Sequence, residues 1–461
     1  NRSGSSTEPN DKDNGTRNSN DGSSVLDHQL IYRTRSELEL TVTKSEDSTL
    51  NGNDCSTGWK ADCSVRLTNN EDKIKFPIHL ELEYPSSTTN GRNLSWTAET
   101  PSTSFSVSFL KSLIQKCVRM CRPEAAVRAA KELMLFDFTE FIRRIPVIMC
   151  EDSLLHPGYP IIVWLMMACS KGYKPSLNDA NYCLQFIYEI AACEWRDFEW
   201  KERRELKEQE VSKVINQQTL SSLHPLESSL IKSLLSRMAF GGMTVDIVML
   251  RNHANIWARR FLDRKKFVMP EQLSTYYDRF EHQIPKLCGI DMDTLVPPSS
   301  VHLLSPWTRF LLHAHGRHSR PVQSFECIGR LQKDDLLLKA VDMHCFPIVD
   351  KLFSTDRFIH DKCQEFMRHH FDIYLDDVQR TDMNRVQAYE QSMSDKMSSL
   401  IWTFRSGPNA KQCVSGREIV SEQSKDNEQR MEHLWQQLRA PLDKVSMRFM
   451  ISKYHSDDDK R

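Results

Sequence analysis

Residues 74–84 alternate: Ile74, Phe76, Ile78, Leu80, Leu82 and Tyr84 occupy every second position, with Lys75, Pro77, His79, Glu81 and Glu83 between them. In an extended chain such positions share one face, so this segment predicts a half-buried strand. Further strands are expected over 31–42, 59–67, 93–98 and 104–109, with the Asn/Gly/Ser-rich stretches 48–57 and 85–92 as loops. About five strands in so short a region predict a small β domain, a sandwich or barrel.

At Ser108 the period becomes helical. Phe109, Leu110, Leu113, Ile114, Cys117 and Val118 form one stripe, leaving Lys111, Gln115, Lys116 and Arg119 for the polar side. Pro123 stands where a second helix opens, and Ala125, Ala126, Ala129 and Ala130 permit close helix packing. Asp137 with Glu140, and Ser176 with Asp179, have capping-box spacing. The segment from Tyr159 to Lys171 is apolar on every side and ends at Gly172, which suits a left-handed helix end. The next helix is expected to run through Ile187 and Ala191 into a charged, solvated extension, Arg196–Glu210. Pro225 opens another helix, Gly241 and Gly242 close it, and Thr244–Phe261 supplies one more.

The predicted fold is therefore mainly α, a multi-helical bundle body with a small N-terminal β domain, α+β overall. Its expected divisions are a disordered tail at 1–28, the β domain at 29–107 and a helical domain at 108–283. A Pro-bearing linker follows at 284–300, then a mostly helical domain at 301–406, then a loop, a short helix (Asn427–Leu438) and a polar tail within 407–461. The tail is expected to be disordered because its Gly, Ser, Asn, Thr and Asp residues bury too little to offset the entropy of ordering.

Composition narrows the function classes. Sixty-one basic and 62 acidic residues leave the chain near neutrality, so no global field draws it to nucleic acid or anionic membranes. The longest apolar stretch, Tyr159–Cys169, is about half of what a membrane-spanning helix requires. Thirteen cysteines form an odd, irregular set, several of them within apolar helical patterns, as expected of reduced thiols in the cytosol or nucleus. The chain does not begin with Met, which is expected of a fragment or processed product, and nothing near Asn1 has the apolar core of a signal peptide.

Four short motifs occur in order: Phe109-Leu-Lys-Ser-Leu-Ile-Gln-Lys, Arg122-Pro-Glu-Ala-Ala, Ile142-Arg-Arg-Ile and Glu151-Asp-Ser-Leu-Leu. Together they resemble the helical C-terminal oligomerisation region of MgsA/RarA-type AAA+ ATPases, relatives of clamp loaders that act at stalled replication forks. The resemblance spans residues 108–195 and implies oligomerisation rather than ATP hydrolysis. No G-x-x-x-x-G-K-[ST] cradle occurs in the chain, so no catalytic residue and no cofactor follows from it.

Three groups of residues are candidates for chemistry. Lys116, Arg119, Arg122, Arg128, Arg143 and Arg144 offer a basic face for phosphates, against the ordinary alternative of solvated or ion-paired helix surfaces. The run Arg259, Arg260, Arg264, Lys265 and Lys266 has similar standing. His313, His315 and His318, joined by Asp342, His344 and Cys345, offer ligands for a divalent metal such as zinc, although the spacing matches no established zinc module. Glu151, Asp152 and His156 could share a proton, or simply cap and pair at a helix end. Trp164, Trp257 and Trp402 are expected as core anchors rather than stacking platforms for bases.

The expected function is that of an intracellular, non-enzymatic interaction or scaffold protein with no cofactor. A protein partner or self-association is expected, nucleic acid is a candidate partner, and no membrane is involved. The alternative is a metal-dependent nucleic-acid-processing enzyme built on the His/Asp/Cys group.

Overall fold

A computed structural model describes residues 59–68, 73–82, 100–197, 215, 217–262, 287, 296, 298–341, 348–355, 357–371, 381–406 and 425–453. Among these the chain is mainly helical, with thirteen α-helices. The described strands are β1 (Trp59–Thr68) and β2 (Lys73–Leu82), paired antiparallel with Cys63 opposite Ile78. The strands expected over 31–42 and 93–98 lie outside the described residues.

The strand expected over 104–109 is instead a helix start. Ser106 is the N-cap of α1 (Val107–Arg119), its hydroxyl accepting from the Phe109 N–H at 3.2 Å. Phe105, just outside the helix, stacks on Phe109 with ring centroids 4.3 Å apart, a contact of the hydrophobic-staple kind. The Phe105–Val107–Phe109 alternation thus runs across a cap rather than along a strand.

Four helices follow: α2 (Pro123–Phe136), α3 (Phe138–Asp152), α4 (Tyr159–Ser170) and α5 (Leu177–Ala192). Their starts follow local signals. Pro123 occupies the first turn of α2, Asp137 accepts from the Glu140 N–H at 3.0 Å, and Ser176 with Asp179 closes a full capping box on α5. Gly172, at φ +89°, takes the left-handed turn after α4. Replacing Ser176 by Ala is expected to cost about 1 kcal/mol, read as a lowered urea midpoint with an unchanged slope.

The charged extension expected beyond α5 does not begin as a solvated helix. Cys193 is extended and ends α5, while Arg196 and Asp197 are buried. Arg260 reaches Asp197 at 2.6 Å and stacks over Trp257 and Trp307, so that pair seals apolar helices rather than facing water.

Beyond this lie α6 (Gln217–Ser222), α7 (Pro225–Ala239), α8 (Thr244–Leu262) and α9 (Pro306–Gly316). They are followed by α10 (Ile348–Thr355), α11 (Arg357–Phe371), α12 (Met383–Ile401) and α13 (Lys425–Lys453). The last helix runs well past the expected end at Leu438 and through Pro441, because Leu442 and Met450 continue its buried stripe.

α1 packs on α2, α2 on α5, α3 on α4 and α7 on α8. One continuous core of buried apolar side chains runs from Phe105 to Met450. The expected division at 284–300 therefore does not separate two cores: Trp195 meets Phe310 edge-on at 5.6 Å, and Trp257 meets Trp307 at 5.7 Å. Trp164 and Trp257 are core residues, as expected, but Trp402 is partly exposed, with Arg119 over its ring at 5.4 Å.

Candidate functional site

The six basic residues expected to meet phosphates are distributed over α1, α2, their connection and α3, and most are engaged within the chain. Arg119 donates to Asp152 through Nε at 2.6 Å and Nη2 at 3.0 Å, with both side chains buried. Arg128 grips Asp335 with two donors, at 2.7 and 2.6 Å. Arg144 pairs with Glu151 at 3.0 Å, and Arg122 donates to the Asp334 carbonyl at 2.8 Å. Lys116 is buried with its ammonium 5.8 Å from the Trp402 ring centre. Arg143 alone of the six is exposed. A free cationic face does not result, because Asp152, Asp335 and Glu151 take up Arg119, Arg128 and Arg144, and a backbone carbonyl takes up Arg122.

Glu151, Asp152 and His156 do not form one proton-sharing set. Asp152 is held by Arg119 and Gln115; burial opposes its charge, but those partners outweigh burial and keep its carboxyl below the usual range. Burial lifts Glu151 above that range despite the pull of Arg144. His156 turns the other way, toward α5, where its Nε2 lies 2.9 Å from Glu189 Oε2.

Around Glu189 a second polar centre is built. The Gly158 N–H donates to His156 Nδ1 at 2.9 Å, so the ring proton sits on Nε2 and is given to Glu189. Gln185 and Ser319 also donate to the Glu189 carboxylate. His315, on α9, stands edge-on to His156 with centroids 4.4 Å apart and its Nε2 3.3 Å from the Leu155 carbonyl oxygen. Burial pushes His156 down to about 3 and His315 well below the ordinary imidazole value. Each side chain is about 1% exposed, so neither can reach a substrate while the helices stay packed.

The described members of the expected metal group, His313, His315 and His318, do not converge. Residues two apart on a helix point about 200° from each other, which separates His313 from His315. His318 faces Glu194 at 3.7 Å instead. Asp342, His344 and Cys345 lie outside the described residues. Among the described residues no group of three or more His, Cys, Asp or Glu side chains is placed to hold a metal ion. Of the second basic run, Arg260 is paired with Asp197, and residues 264–266 lie outside the described residues.

Sequence reasoning passed over the corner between α7 and α8. There Gly241 and Gly242 both take positive φ, and the chain re-enters helix at Thr244. Met243 is 61% exposed, Val245 70% and Val248 39%, an apolar group at the start of α8. Arg237 lies buried beneath, donating to the Gly241 carbonyl at 2.6 Å and to the Arg143 carbonyl at 3.1 Å. The available signal was Gly-Gly-Met-Thr-Val, apolar residues beside a turn where polar ones are usual.

No family model, no curated protein and no solved structure matches this chain. No helix among the described residues is long and apolar enough to cross a membrane.

Proposed function

We propose that the protein is a non-enzymatic interaction or scaffold protein of the cytosol or nucleus, and that its helical body associates with a second copy of itself through the α7–α8 corner. The observation that carries this is the exposure of Met243, just before α8, and of Val245 and Val248 in its first turns. Single apolar residues at a surface are ordinary, but a contiguous group gains free energy by being covered. Val245 and Val248, three apart, lie on the same helix face. The guanidinium groups of Arg119, Arg128 and Arg144 are already bound to carboxylates, which favours a protein partner over a nucleic acid. The likeness of 108–195 to an oligomerisation region supports self-association, and a role in DNA replication or repair rests on that likeness alone.

Sedimentation equilibrium of the full chain and of a Met243→Asp/Val245→Asp variant tests the proposal. Both side chains face solvent, so the variant is expected to stay folded. The parent is expected to sediment as a dimer or larger and the variant as a monomer. A monomeric parent at its highest soluble concentration would remove self-association.

A further inference from the structure

We propose that Cys121 is a peroxide-sensitive thiol held by Arg196, with Cys193 as its disulfide partner. Cys121 follows α1 with φ +53°, the one described non-glycine residue with positive φ. Around it the Cys121 N–H donates to the Val118 carbonyl at 3.1 Å and the Arg122 N–H to the Cys117 carbonyl at 2.9 Å. That is a Schellman-type ending, where glycine is favoured and a β-carbon costs about 1 kcal/mol. Strain kept at one position points to a use for its side chain.

The second observation is Arg196. It is 3% exposed, and its Nη2 donates to Cys121 Sγ at 3.0 Å and to the Val118 carbonyl at 2.8 Å. Its Nη1 donates to the carbonyls of Cys193 and Trp195 at 2.6 and 2.9 Å. Three of these acceptors are neutral carbonyls, and among the described residues no carboxylate pairs with Arg196. A buried guanidinium N–H aimed at the sulfur stabilises the negative charge carried by sulfur when it acts as a nucleophile. The thiolate is also the nucleophilic form of cysteine. Arg196 further occupies the Val118 carbonyl, one of the helix-end groups that would repel a negative sulfur.

The third observation is the neighbour. Cys121 Sγ lies 3.7 Å from the Cys193 carbonyl oxygen, which makes the two residues neighbours where α1 and α5 end, and the Cys193 thiol points to the Trp195 carbonyl at 3.7 Å. Unlike Cys193, which is buried, Cys121 is partly open to solvent and meets an oxidant first.

The chemistry balances with a hydroperoxide as oxidant. The Cys121 thiolate attacks one peroxide oxygen, the O–O bond breaks, and the leaving oxygen takes a proton to become water (from hydrogen peroxide). The sulfur, oxidised by two electrons, is left as a sulfenic acid. The Cys193 sulfur then attacks it: an S–S bond forms, the S–O bond breaks, and hydroxyl and thiol proton leave as water. A dithiol reductant returns both thiols by exchange. The product ties the end of α1 to the end of α5.

The test is to treat the intact protein with hydrogen peroxide, block remaining thiols with N-ethylmaleimide, and map peptides by mass spectrometry without reductant. Cys327, which is exposed, is the internal reference. A Cys121–Cys193 cross-link is expected to form at least about tenfold faster than Cys327 oxidises. In Cys193→Ser protein, dimedone is expected to trap sulfenic Cys121. Cys121→Gly, which relieves the backbone, is expected to stay folded and lose the cross-link, and Arg196→Gln to slow oxidation at Cys121. Oxidation of Cys327 with Cys121 left reduced would overturn the proposal in the unmodified protein. So would an unchanged Cys121 rate in an Arg196→Gln protein that keeps its helical circular dichroism.

Discussion

Asp152→Ala is expected to cost about 3–5 kcal/mol. Asp152 is 1% exposed and receives Arg119 twice and Gln115 once. Removing it leaves a guanidinium buried without its bidentate carboxylate, and that desolvation dominates the loss. Replacing both partners with apolar residues of similar size, Arg119→Met with Asp152→Leu, is expected to recover most of the stability, since neither charge then needs solvation. Urea unfolding of the single and double variants reads the difference. A double variant as weak as the single one would show that the pair contributes more than its own solvation.

The second large effect is loss of stability in acid. His156 and His315 are neutral in the folded protein, whereas unfolded histidine takes a proton near 6.5. Below that value the unfolded chain binds more protons, so stability falls as pH falls. For His156 the loss continues down to about 3. Each buried histidine contributes a slope of about 1.4 kcal/mol per pH unit within its window. Protonating His156 requires Nδ1 to give up the Gly158 N–H, and a second charge on His315 would sit against the first. His315→Gln is expected to flatten the fall by about one histidine's slope, measured as the urea midpoint from pH 7 to pH 4. An unchanged slope would mean that His315 is accessible to protons in the native state.

What was legible in the chain was what neighbours decide. The Ser176–Asp179 box, the Asp137 cap, Pro123 at a helix start and Gly172 after one all act within a turn, and each appears where its spacing places it. The partners of charged residues were not legible, because packing over long separations sets them: Arg128 finds Asp335, and His156 finds Glu189 and His315. The end of α13 was missed for a different reason. The segment after Leu438 reads as a polar tail, yet the buried positions Leu442 and Met450 continue the stripe through Pro441, and the core of α1 reaches that far through Phe109 and Phe449, 6.5 Å apart.

The candidate surfaces reversed in the same way. Arginines that looked available are ties between helices, while the corner that stays open is apolar. A free basic face and an exposed apolar corner would call for different partners: Arg119, Arg128 and Arg144 are paired with carboxylates, and Met243, Val245 and Val248 are exposed.

Hydrogen–deuterium exchange of the full chain at low and high protein concentration separates these surfaces most directly. Slower exchange at high concentration is expected over 241–251, which includes Met243, Val245 and Val248, with α1–α3 unchanged. Concentration-independent exchange over that segment, or protection confined to the helices carrying Arg119, Arg128 and Arg144, would contradict association through the α7–α8 corner.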